Sequence, residues 1–116
     1  MNIDALKVKV QQFCEERDWD QYHGPKDLAI GVITEAAELL EHFRFLSDDE
    51  ALAIFNNSKK KEEIEDELAD VLFFLLRFSQ RFDIDLTEAL LHKIDKIEQK
   101  YPIEKSKGNN RKYTEL

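Results

Sequence analysis

The sequence predicts an all-α fold, most simply a four-helix bundle with one additional short helix. Three observations carry that expectation. Only three Gly and two Pro interrupt 116 residues, so helix breakers are scarce. Apolar residues recur at helical spacing through most of the chain, and no segment reads as a strand. The turn signals that do occur divide the chain into a few long segments.

The first helix is expected from about Asp4 to Arg17, with Ile3, Leu6, Val10 and Phe13 forming one apolar stripe. Asp18 to Pro25 reads as a loop because Gly24-Pro25 breaks the pattern. The second helix starts just after Pro25 and continues to about Phe45. Ser47-Asp48-Asp49-Glu50 is a capping-box sequence that opens a short helix through Phe55. After Asn56-Asn57-Ser58, a long third helix is expected from about Lys59 to Arg81. Asp85 with Glu88 three residues on caps a fourth long helix to about Lys100. Pro102 ends the regular structure, and Gly108-Asn109-Asn110 argues for an irregular tail. One domain over residues 1–100 and a tail over 101–116 is the expected organisation. The tail carries four basic residues against two acidic ones and could fold over an anionic ligand.

With 42% apolar and 36% charged residues, the composition is that of a soluble globular protein. A net charge of −8 disfavours nucleic acid and membrane surfaces as partners and suits a chain that gathers divalent cations. The single cysteine, Cys14, excludes an internal disulfide framework, and Asp4 with no apolar stretch near the start argues against a signal peptide. The expected location is therefore cytoplasmic. No His or Cys spacing suits zinc.

The chemistry lies in two acidic pairs, Glu35-x-x-Glu38 and Glu67-x-x-Asp70. Spacing of i,i+3 puts each pair on one face of its helix. The second pair adjoins Leu68 to Leu76, in which Asp70 is the sole polar residue, as in a buried helix. A carboxylate there must neutralise, pair or bind a metal. If the two helices pack antiparallel, four carboxylates converge and repel one another unless cations join them. Mg²⁺ suits such an all-oxygen site and completes its shell with water and phosphates. The plainer alternative for any single E-x-x-E is a solvated helix face.

These residues resemble a known family. Glu35-Ala-Ala-Glu38, a 28-residue spacer and Glu67-Leu-Ala-Asp70 are similar to the E-x-x-E…E-x-x-D signature of MazG-like all-α nucleoside triphosphate pyrophosphohydrolases. Arg17 to Lys26, Leu86 to Leu90, Lys93, Asp95 and Tyr101-Pro102 extend the resemblance to the dCTP pyrophosphatase branch, over roughly residues 13–108. The resemblance implies Mg²⁺-dependent cleavage between the α- and β-phosphates of a nucleoside triphosphate, with Mn²⁺ as a substitute ion and dCTP or dATP favoured. It makes Glu35, Glu38, Glu67 and Asp70 the metal ligands and catalytic residues. It places Trp19, His23 and Phe45 at the base and Lys93 and Tyr101 at the phosphates. Dimers or dimer-of-dimers tetramers are the assemblies it implies. For Trp19 and His23, spacing alone equally allows a core Trp and a capping His. The sequence departs from the family pattern at Ile97, where an Asn is frequent, at Phe74 (a Tyr) and at Phe45 (a Trp). A hydrolase of modified nucleotides would use the same carboxylates, and a non-catalytic helical interaction module would need none of them.

Overall fold

The computed structural model describes residues 1–116 and contains helices and turns but no strand. The six helices are α1 (Ile3–Glu15), α2 (Pro25–Glu41), α3 (Asp48–Ala53), α4 (Ser58–Arg81), α5 (Leu86–Lys100) and α6 (Ile103–Ser106). The expected all-α class holds, with four long helices and a short one in the expected order. The chain forms two compact units, Met1–Asp83 and Ile84–Leu116. No helix is long and apolar enough to cross a membrane.

The helix starts follow from their caps. Asn2 Oδ1 accepts the Ala5 N–H at 2.9 Å, and Asn57 Oδ1 accepts that of Lys60 at 3.1 Å. Ser47 and Glu50 close the expected capping box in both directions. Asp85 Oδ1 accepts from Glu88 N–H at 3.0 Å. Pro25 occupies the first turn of α2, where its missing N–H leaves no acceptor unpaired.

Two helix ends fall short of expectation. α1 stops at Glu15 rather than Arg17, because Asp18 takes a left-handed conformation (φ 55°). The Cys14 carbonyl then accepts the N–H groups of both Arg17 and Trp19. The following loop contains a 3₁₀ turn at Asp20–Tyr22. α2 stops at Glu41 rather than Phe45: His42 and Phe43 bond to carbonyls three residues back, and the Phe43 ring stacks on Phe55 (6.1 Å between centroids). Tertiary packing thus takes over from helix continuation. The tail is more ordered than an irregular segment. It carries α6 and a 3₁₀ turn, and Tyr113 N–H donates to the Tyr101 hydroxyl at 3.1 Å.

In the first unit, α4 packs along α2 and against α1. Cys14, Leu28, Ile64 and Leu76 are its buried apolar residues. The apolar run of α4 is not buried on all sides, contrary to the sequence reading. Leu68, Leu72 and Leu75 lie at i, i+4 and i+7 and form a second, exposed apolar stripe. Asp70 is exposed as well.

Candidate metal centre

Gly31 and Phe74 set how close α2 and α4 come. A Cβ on Gly31 would stand 2.5 Å from two carbons of the Phe74 ring, so only glycine admits the ring at this crossing. Glu35 lies one helical turn beyond Gly31, and Asp70 one turn before Phe74. The close approach therefore fixes the spacing of the acidic residues on the adjoining turns. One carboxylate oxygen from each of Glu35, Glu38, Glu67 and Asp70 falls within 4.8 Å of the others. Glu35 and Glu67 are half-buried, whereas Glu38 and Asp70 face solvent.

The electrostatics of this cluster are unfavourable without a cation. Burial, then a hydrogen bond with Glu38, then the charges of Glu38, Asp70 and Glu67 push the Glu35 carboxyl up to about 7. Glu67 is raised by burial first and by Glu38 second, while the neighbouring His42 imidazole pulls the other way. His42 Nε2 stands 3.6 Å from Glu67 Oε1. Glu35 Oε2 and Glu67 Oε2 are buried with no hydrogen-bonding partner. Buried carboxylate oxygens need a partner, and these two converge with a set of hard oxygen donors. That arrangement fits a divalent cation such as Mg²⁺ and does not fit a soft metal.

The other sequence-predicted residues lie in three places. Trp19 and His23 make edge contact at 6.0 Å between centroids, and Trp19 also meets Phe13 edge-on. Phe45 is 84% exposed beyond the end of α2, with the Arg44 guanidinium over its ring. Lys93 and Tyr101, with Lys96, Ile97, Lys100 and Tyr113, line a cavity of about 180 Å³ in the second unit. Ile97 gives that cavity an apolar wall where an Asn would have offered a polar one.

Sequence reasoning passed over Arg77. It is 0% exposed, and its Nε donates to His23 Nδ1 at 2.8 Å. Its other nitrogens reach Gln80 and the Asp20 carboxylate. The Arg77 hydrogen bond holds the Asp20 carboxyl below its usual range. A cation at the end of an apolar run is the available signal, but its partners lie more than fifty residues away. His42 stands four residues after Glu38, on the same helix face as the first acidic pair, but the sequence assigns it no role; the structure sets it beside Glu67.

A profile described as the MazG-like family matches residues 30–116, most of the chain and all four acidic residues. The chain belongs to the MazG-like family. This MazG-like chain is 37% identical to dCTP pyrophosphatase 1 of Mus musculus over 114 residues, 98% of its own length and 67% of the relative's. It is 35% identical to dCTP pyrophosphatase 1 of Homo sapiens over the same share of both chains. Among solved structures, a pyrophosphatase from Archaeoglobus fulgidus superposes with a TM-score of 0.80 at 39% identity, covering 85% of this chain and 91% of that one.

Proposed function

We propose that this MazG-like chain hydrolyses deoxynucleoside triphosphates between the α- and β-phosphates, releasing a nucleoside monophosphate and pyrophosphate, with Mg²⁺ as cofactor and dCTP as first substrate. The chain is a nucleoside triphosphate pyrophosphohydrolase by its family and relatives. The observation that carries the finer reading is the convergence of Glu35, Glu38, Glu67 and Asp70, with two buried oxygens unpartnered. dATP is the second substrate proposed, and Mn²⁺ the substitute ion.

The four carboxylates would hold Mg²⁺. When bound, the ion supplies Lewis-acid charge to the phosphate oxygens and lowers the pKa of water. A carboxylate of the Glu35/Glu38 pair orients the attacking water toward the α-phosphorus, and the bond to the bridging oxygen of the β-phosphate breaks. Trp19 and His23 form the wall that faces the base, and Phe45, exposed beyond α2, is a separate base contact; aromatic faces give area and a polar ring edge gives selectivity. Lys93 and Tyr101 bind phosphate oxygens. The protein acts in the cytoplasm, and as a dimer or dimer of dimers; the exposed Leu68, Leu72 and Leu75 stripe supports the assembly.

The test is pyrophosphate release from a panel of standard and modified (d)NTPs, with Mg²⁺ and with EDTA. Mg²⁺-dependent release, fastest with dCTP, is expected. Equal release in EDTA would remove the metal from the reading, and release from modified nucleotides alone would replace its substrate.

A further inference from the structure

Arg77 does more than fill the interior. Its guanidinium is always protonated and has donors only, so the His23 Nδ1 it meets at 2.8 Å must be an unprotonated acceptor. The imidazole is then neutral, with its proton on Nε2. We propose that Arg77 is a positioning residue that locks His23 as a neutral Nε2–H donor and thereby selects a nucleobase edge offering a hydrogen-bond acceptor. This rests on the reading of Trp19 and His23 as the base-facing wall.

Four features of the structure support the lock. Arg77 is fully buried, so its geometry is fixed by packing as well as by hydrogen bonds. Its fork grips both ends of one turn of chain, Asp20 and His23, and so anchors the Trp19–His23 segment to α4. Arg81 strengthens the anchor by donating to the His23 carbonyl at 3.5 Å. Arg77 also lies seven residues from Asp70 along α4, about 10 Å. That places the anchored segment two turns from the acidic cluster on the same helix.

The charged groups around His23 favour the same state on balance. Burial first, then Arg77 and Arg81, press the imidazole below its ordinary range, against the opposing charges of Asp20 and Asp27. A neutral ring with one fixed N–H discriminates by hydrogen-bond polarity: an acceptor on the base is matched, and a donor at that place leaves two donors facing each other.

Imidazole ¹⁵N NMR of the wild-type protein, read without substrate, tests the lock. The expected spectrum has an acceptor-type Nδ1 and a protonated Nε2 for His23, with its titration displaced below the ordinary value. A proton on Nδ1, or titration at the ordinary value of about 6.5, would overturn the proposal. In Arg77→Met, the His23 titration should return toward that value. KM for the preferred nucleotide should rise about tenfold with kcat within about twofold. A folded variant with a freed His23 and an unchanged KM overturns the positioning role. Should Arg77→Met not fold, Asp20→Asn removes the outer anchor at a half-exposed site and is read for the same split of KM against kcat. If wild-type protein releases pyrophosphate from no nucleotide, the proposed reaction fails, while the imidazole signals still decide the lock.

Discussion

Glu35 and Glu67 each keep one buried oxygen without a protein partner, which makes the acidic cluster sensitive to both protons and cations. Glu35 has an ordinary value of 4.5 and about 7 in the fold. Between those values the native protein holds a proton that the unfolded chain has released. The stability this contributes is fully present below about pH 4.5 and is lost as pH rises through about 7. Cation-free protein should therefore melt at a lower temperature near pH 8 than near pH 5, and Mg²⁺ should remove most of that difference by taking the proton's place. Thermal melts in EDTA and in Mg²⁺ at both pH values check this; a cation-free melting temperature that rises toward pH 8 contradicts it. At the same scale, Glu38→Gln and Asp70→Asn should each lower kcat by about 100-fold or more while leaving far-UV helicity intact. Both residues are exposed, so their loss leaves no cavity. Full turnover in either variant would detach that carboxylate from the reaction.

Two helices brought together by a glycine carry the candidate metal centre. Gly31→Ala gains about 1 kcal/mol in helix propensity. The new Cβ also overlaps the Phe74 ring, and overpacking of this kind costs about 1–3 kcal/mol. The ring is part of a packed row with Phe73 and Phe13 and has little room to yield, so the second effect wins. Gly31→Ala should lower urea stability and weaken Mg²⁺ binding together, and Phe74→Leu in the same background should restore both. A destabilised variant with unchanged Mg²⁺ affinity would mean that the crossing does not set the spacing of the acids. The helices themselves were largely legible in the sequence, because caps such as Asn57, Asp85 and the Ser47–Glu50 box act within one turn. The acidic pairs were legible for the same reason: their i,i+3 spacing is local. What escaped was non-local. The end of α2 depends on Phe43 meeting Phe55, and the Arg77 anchor joins residues over fifty positions apart. The apolar run of α4 reads as buried because its composition is apolar all round, yet which stripe is covered depends on what packs against it.

The first unit leaves Leu68, Leu72 and Leu75 open on α4, an arrangement expected of a chain that buries more surface on association than alone. Leu72→Glu should shift the protein to a smaller species in light scattering without loss of helicity, since this position is exposed in the isolated chain. An unchanged mass would exclude this stripe from the assembly. Cys14 bears on the same unit in a different way. It is fully buried on α1, and burial raises its thiol pKa, outweighing the nearby Arg77 charge that lowers it. A protonated, enclosed thiol is nearly inert to disulfide reagents. Being the sole cysteine of the chain, it turns reactive only when α1 lifts from α4. The rate at which a thiol reagent labels it is thus a clock for the opening of that helix pair, readable without any engineered probe.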